Sequence, residues 1–189
     1  MNSTKFNEDS LGYVIAVAKS GSHSFSKNLQ DEIKLIEDFG VEGDVHGGKT
    51  IKHRSRLFRM KEAHNQRQVH LIHSELFEEL KGKGFKVLPG ELGENITTQG
   101  LDLLSLPKDT ILMIGDSTKI KITGLRNPCK QIDKFQKGLQ KAVLEKSETG
   151  GLLRKTGVMG VVINGGVVQP NDSITIELPP QPYQSLEVV

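Results

Sequence analysis

The chain has one cysteine, Cys129, set in the run Gly124-Leu125-Arg126-Asn127-Pro128-Cys129-Lys130. Cysteine attacks carbon or sulfur and binds metals as the thiolate, and nearby positive charge stabilises that form. Arg126 and Lys130 place a cation on either side of it. Downstream, Ile132, Phe135, Leu139 and Val143 recur at spacings of three or four. That pattern predicts an amphipathic helix over Gln131 to Lys146 with this stripe in the core. Cys129 would then lie near a helix N-terminus, where the backbone dipole favours an anion by up to about 1 kcal/mol. These residues fit a soft-ligand or nucleophilic site. They fit equally a small buried hydrophobe without chemistry.

Four other constellations bear on chemistry. Asp44 and His46 flank a valine within Gly40 to Gly48, where four of nine residues are glycine. They read either as an acid/base pair at a pocket rim or as a turn-closing aspartate beside a solvated histidine. Arg67 could hold a phosphate or carboxylate bidentately, or form an edge salt bridge. Glu91, Glu94 and Asn95 surround Gly93 and either orient a polar ligand or sit hydrated in a loop. His70 and His73 are three apart, but the first falls on a predicted strand and the second at a helix start. With neither CxxC nor HExxH in the sequence, a structural zinc site is not expected. His70 is expected to be partly exposed, and His73 to cap or pack. No phosphate-binding P-loop, dinucleotide fingerprint or nucleophile elbow occurs.

Several short strands must carry these residues. Gly12–Ala18, Ile33–Ile36, Arg67–Ile72, Ile96–Thr98, Ile111–Ile114, Lys119–Thr123 and Ile174–Ile176 are β-branched or alternate polar with apolar residues. Val161–Ile163 and Val167–Val168 flank Asn164-Gly165-Gly166, which predicts a hairpin. Ser74, followed by Glu75, Glu78 and Glu79, reads as an N-cap and an acidic first turn of a helix that ends at Gly82 or Gly84. Many short strands with few helices predict a mainly β fold with some α. The expected architecture is a closed or partly closed β barrel with two or three helical excursions. The predicted single domain runs over 11–178, between a flexible tail at 1–10 and a peripheral proline-rich tail at 179–189.

The bulk properties narrow the class. A chain of 189 residues, 35% hydrophobic and 25% charged, suits one soluble globular domain. No apolar run approaches the ~20 residues that span a bilayer, and the first ten residues lack a signal-peptide core. A single cysteine excludes an internal disulfide, so a cytoplasmic setting is expected. Lys49 to Arg67 carries seven cations against Glu62 alone. This basic stretch, an insertion over 49–66, attracts a phosphate-bearing ligand or is a solvated loop. With 5% aromatics and no tryptophan there is little to stack on bases, so no nucleic-acid partner is expected.

The motifs taken in order resemble the MOSC domain family, named for the C-terminal domain of molybdenum-cofactor sulfurases. The resemblance rests on Gly40-Val41-Glu42-Gly43-Asp44-Val45-His46, Arg67-Gln68-Val69, Pro89-Gly90-Glu91-Leu92-Gly93-Glu94-Asn95-Ile96, Leu101 to Pro107, Arg126-Asn127-Pro128-Cys129 and Gly157-Val158-Met159-Gly160 with Gly165-Gly166. It implies a β-barrel fold and a bound molybdenum–pterin cofactor, with Cys129 as metal ligand or sulfur carrier. Thiolate is a ligand type that suits such a metal. Arg67, Arg126 and Lys130 become candidates for the pterin phosphate. Asp44 and His46 become catalytic candidates, and Asn95 a cofactor-binding one, lining the same pocket. The implied activity is oxygen-atom or sulfur transfer, such as reduction of an N-hydroxylated small molecule with an electron- or sulfur-donor protein as partner. A non-catalytic carrier of cofactor or sulfur is the alternative. The chain is too short for a pyridoxal-phosphate domain, so pyridoxal phosphate is not expected.

Overall fold

The computed structural model describes residues 11–50, 64–146 and 151–189. The expected tail at 1–10 and most of the basic stretch, 51–63, lie outside the described residues. The strands follow from β-branched, alternating segments. They are β1 (Gly12–Lys19), β2 (Asn28–Gln30), β3 (Ile33–Ile36), β4 (Gly40–Val41), β5 (Val69–His73), β6 (Ile96–Gln99), β7 (Ile111–Ile114) and β8 (Thr118–Leu125). After them come β9 (Leu144–Lys146), β10 (Leu152–Arg154), β11 (Val158–Asn164), β12 (Gly166–Val168) and β13 (Ser173–Glu177). Three short helices interrupt them: α1 (Glu75–Gly82), α2 (Gln131–Phe135) and α3 (Leu139–Ala142).

Seven strands, in the order β13-β7-β8-β11-β5-β6-β1, close into a barrel through pairing of β1 with β13, and β2 extends it along β1. All neighbours are antiparallel except β5 and β6. Closure leaves no open edge among these seven strands. Inward-facing side chains such as Val14, Leu71, Ile96, Leu112, Ile120 and Val158 are fully buried and fill the barrel. A second apolar cluster lies between α1 and the segment after Cys129, where Leu76, Leu80, Ile132, Leu139 and Val143 meet. It fixes the chain downstream of Cys129 against the barrel wall. No helix of the described residues is long and apolar enough to cross a membrane.

Three local expectations are corrected. The helix predicted over Gln131 to Lys146 breaks in the middle: Gln136 is extended, Gly138 is left-handed with φ 87°, and the last three residues form β9. Buried Ile132, Leu139 and Val143 keep the apolar periodicity although the helix does not continue. The hairpin predicted around Gly165 and Gly166 does not form. β11 pairs with β8 and β5, whereas β12 crosses to pair with β3, and neither glycine has a positive φ. A side chain at Gly165 would press on the Leu35 carbonyl, so close packing accounts for that glycine. Ser74 precedes α1 but its hydroxyl makes no capping bond. The C-terminal residues lie along β8, where Leu125 bonds to Glu187 and Val189.

Candidate functional site

At one place on the barrel wall strand ends meet from both directions. β1 finishes and β6 begins there from one side, β8 finishes and β11 begins there from the other, and β5 runs between them, as the partners Val17–Ile96, Leu71–Ile96, Leu71–Val158 and Val158–Leu125 require. Ser20, His70, Asn95, Arg126 and Thr156 therefore stand close together. The turn after β4 adds Asp44 and His46 beside Ser20, with the Val45 N–H donating to the Ser20 carbonyl at 2.8 Å. Lys27 is brought in by a tight approach to Gly90. Its N–H donates to the Gly90 carbonyl at 2.8 Å, and a Cβ at Gly90 would stand 2.7 Å from the Lys27 carbonyl.

Asp44 is the centre of one half of the site. Its Oδ2 accepts from Lys27 Nζ at 2.7 Å, Asn95 Nδ2 at 3.0 Å and the Ser20 N–H at 3.2 Å. Its Oδ1 accepts from the His46 N–H at 3.0 Å and lies 3.2 Å from His46 Nδ1. Burial alone would raise this carboxyl. The bond from His46 and the Lys27 ammonium outweigh burial and hold it well below the usual carboxylate range. Burial lowers the Lys27 ammonium against the pull of Asp44. The two directions agree physically, since Asp44 receives several donors and Lys27 has chiefly one acceptor. An ionised Asp44 can only accept, so His46 donates from Nδ1. The His46 side chain is 42% exposed, so solvent reaches the ring. The His23 ring meets it edge-on at 6.0 Å.

Asn95 links this half to the next. Its Nδ2 also donates to the Ala18 carbonyl at 3.1 Å, and its Oδ1 accepts the His70 N–H at 3.2 Å. His70 is buried, which corrects the expectation of partial exposure. Its Nε2 lies 2.7 Å from the Thr156 carbonyl. Burial, with the nearby Arg126 charge, pushes it well below the usual histidine range, so it is a neutral Nε2–H donor. Glu94 is also fully buried rather than hydrated. Its Oε1 accepts from the Gly90 N–H at 2.6 Å and Thr97 Oγ1 at 3.2 Å, while Oε2 has no hydrogen-bond partner among the described residues. Burial raises this carboxyl.

Arg126 and Cys129 form the other half. The Arg126 N–H donates to the Gly157 carbonyl at 3.0 Å, and its carbonyl accepts from Thr156 Oγ1 at 3.1 Å. Its Nη1 is buried with no acceptor among the described residues. Burial lowers this guanidinium, and the charges of Cys129 and Glu94 oppose that shift. Cys129 is half-buried, with Sγ 3.5 Å from Gln131 Oε1. The helix after it, α2, has only five residues, so its dipole is weaker than the sequence reading implied.

The structure thus joins Asp44, His46 and Asn95 directly, and sets Arg126 beside Cys129 in the same half. Lys130 is exposed at the start of α2 and is not drawn into this cluster. Arg67 stands two residues before β5, half-buried, its N–H donated to Asn65 Oδ1 at 3.0 Å. Sequence reasoning missed Lys27, which lies in a polar loop without periodicity, and misjudged Glu94. The clue to Glu94 was its place beside Asn95 at the start of a strand entering the core.

A MOSC domain family model matches residues 42–175. Among solved structures, the chain is similar to the YuaD protein from Bacillus subtilis, with 23% identity over 90% of this chain and 97% of that one, at a TM-score of 0.76. YiiM from Geobacillus stearothermophilus matches at 18% identity over 92% of this chain and 77% of that one, with a TM-score of 0.63. YiiM from Escherichia coli matches at 19% identity over 91% and 73%, with a TM-score of 0.60. At these identities the likeness is one of fold. A search of curated protein sequences returns no significant match.

Proposed function

Given that the chain belongs to the MOSC domain family, we propose that this site on its barrel wall holds a molybdenum–pterin cofactor, with Cys129 as the protein's ligand to the metal. The proposed chemistry is transfer of an oxygen or sulfur atom, with an N-hydroxylated small molecule as the model substrate. The observation that carries this reading is the pair Arg126 and Cys129: a half-buried thiol three residues from a guanidinium whose Nη1 is buried without an acceptor among the described residues. A buried unmet donor is costly and is characteristic of a site built to receive a group. Among the described residues no three His, Cys, Asp or Glu side chains converge on a metal. A metal here would therefore rely on ligands it brings with it, as a pterin-borne metal does. The donor set fits the group.

When bound, the cofactor supplies a metal that changes oxidation state as the atom is transferred. The chain's own residues supply the setting. Arg126 offers Nη1–H to an anionic oxygen beside Cys129. Arg67 and Lys130 are further candidates for the phosphate. Asp44 holds His46 through Nδ1, which leaves Nε2 facing outward to orient a substrate hydroxyl. Lys27 and Asn95 hold Asp44 in place and ionised. A reducing compartment such as the cytoplasm keeps the thiol free.

The test is to produce the chain and its Cys129→Ser variant with cofactor available. Metal, released pterin and circular dichroism are then measured on both. Metal in the parent and at least a tenfold loss in the folded variant supports ligation, a loss of the order expected for a metal ligand. Equal metal in both removes Cys129 from that role. Bound metal and pterin without turnover under a chemical reductant would make the protein a carrier.

A further inference from the structure

His23 takes no part in the function proposed above, yet the fold places it closely. It sits in Ser20-Gly21-Ser22-His23-Ser24-Phe25-Ser26, where hydroxyls brace the loop. Ser20 Oγ donates to the Ser22 carbonyl at 3.0 Å, Ser24 Oγ to the Ser26 carbonyl at 2.7 Å, and Ser26 Oγ to the Glu91 carbonyl at 3.0 Å. One carboxylate ties this loop to the turn that carries His46. Asp44 Oδ2 accepts the Ser20 N–H at 3.2 Å, and Oδ1 accepts the His46 N–H at 3.0 Å. The two imidazoles end 6.0 Å apart, centre to centre, with their planes at 89°.

That separation has a chemical reading. Metal–imidazole bonds run about 2.0–2.1 Å, so two rings on one ion have centres at most about 6.4 Å apart, and about 5 Å apart at a tetrahedral angle. The pair lies inside the outer limit, and rotation of the exposed His23 side chain closes the remainder. Packing does not account for the contact, because both rings are open to solvent and an edge-on pair there buries little area. Asp44 Oδ1 lies 3.2 Å from His46 Nδ1, so Nε2 is the nitrogen left to ligate. A carboxylate behind a histidine is the recurring outer-shell arrangement at metal-binding imidazoles, since it fixes the ring and raises its basicity. The Asp44 charge is itself paired, through Oδ2, with Lys27 Nζ at 2.7 Å. An ion between the rings therefore meets nitrogen rather than carboxylate oxygen. Such a donor set favours zinc, copper, nickel or cobalt over magnesium or calcium.

We infer that His23 and His46 Nε2 form an open binding site for a divalent transition-metal ion, oriented by Asp44 and independent of Cys129. Two protein ligands leave the remaining positions to water or to an oxygen of a small molecule. The site is additional to the cofactor reading and does not depend on it.

The test uses the full chain, free of tag and metal and carrying Cys129→Ser, so that the thiol cannot compete. Zn2+ and Mg2+ are titrated by calorimetry. One Zn2+ per chain, with Mg2+ silent, is expected. His23→Ala and His46→Ala should each lose at least about tenfold in Zn2+ affinity. His64→Ala, which removes a histidine whose two ring nitrogens already face Asp38 and Gln66, should stay within about twofold. The double variant His23→Ala with His46→Ala should lose less than the two single losses combined, since both rings serve one ion. A second arm needs no further substitution: Zn2+ should shift the ring-proton NMR signals of His23 and His46 together and leave those of His64 in place. No Zn2+ binding, an affinity unchanged within about twofold by either single variant, an equal loss in His64→Ala, or a shift confined to one of the two rings overturns the inference. Because the thiol is absent throughout, failure here is distinct from failure of Cys129 as a molybdenum ligand.

Discussion

The Asp44 side of the site and the Arg126 side differ in how completely their buried polar atoms are bonded. Both Asp44 oxygens accept, from Lys27, Asn95, Ser20 and His46. On the Arg126 side, Arg126 Nη1 and Glu94 Oε2 are buried with no partner among the described residues. The two halves adjoin and are linked through Asn95 and His70, so distance in the fold does not explain the difference. The satisfied half behaves as structure: it locks a turn, a loop and three strands together. On the function proposed above, the unsatisfied half is the receptor, and a bound ligand would complete its unmet groups. This difference can be broken or sharpened by four substitutions.

The largest effect belongs to Asp44→Ala. It strands the buried Lys27 ammonium and frees the His46 loop. Removing one partner of a buried ion pair costs about 3–5 kcal/mol. Chemical denaturation should show this loss whether or not cofactor is present. A loss below about 1 kcal/mol would mean that the Asp44 cluster is not the structural half.

Asn95→Ala follows. It removes the donor to Asp44 and Ala18 and the acceptor for the His70 N–H. Leaving these buried groups unmet should cost about 2–3 kcal/mol. Because Asn95 joins the halves, the same variant should also lower retained cofactor, as measured by released pterin.

Arg126→Met inverts the pattern. Its Nη1 makes no bond to lose, and an apolar chain of similar length avoids burying a charge. Unfolding of the cofactor-free protein should change by less than about 1 kcal/mol, or shift towards greater stability. Binding of an anionic group should nevertheless fall about tenfold or more, the value of a charged hydrogen bond. A variant that unfolds readily and keeps its cofactor would reverse the assignment of the two halves.

Much of this was legible in the residues, and the failures share a cause. The seven barrel strands announce themselves by β-branched or alternating segments such as Gly12–Ala18 and Ile111–Ile114. Asp44, His46, Asn95 and Cys129 were marked by residue type and by their place in glycine-bearing loops. What escaped was non-local. The partner of β12 is β3, far upstream, so Asn164-Gly165-Gly166 looked like a hairpin turn when it is a crossover. Lys27 gains its meaning only from Asp44, across a loop that has no periodicity. Glu94 reads as a loop acid until the barrel closes over it. The helix after Cys129 ended early because Gly138 adopts a left-handed conformation, which overrode an apolar spacing that the core satisfies anyway.

The smallest effect is the most diagnostic, because the two buried carboxylates pull stability in opposite directions with pH. Asp44 titrates lower when folded than unfolded. Its contribution is complete above the ordinary carboxylate value of about 4 and disappears as pH falls through the folded value. Glu94 is raised by burial. What it contributes is complete below its ordinary value and is lost as pH rises through the raised one, since the unfolded chain ionises first. Glu94→Gln removes that second slope and keeps an acceptor for the Gly90 N–H. Urea unfolding of the cofactor-free protein between pH 4 and 8 should therefore show the parent declining relative to this variant as pH rises. Parallel curves would mean that Glu94 is already ionised in the fold, neutralised by Arg126 and Lys27. The Arg126 side would then be a closed charge network like the Asp44 side, and its claim to be the receptor half would fail.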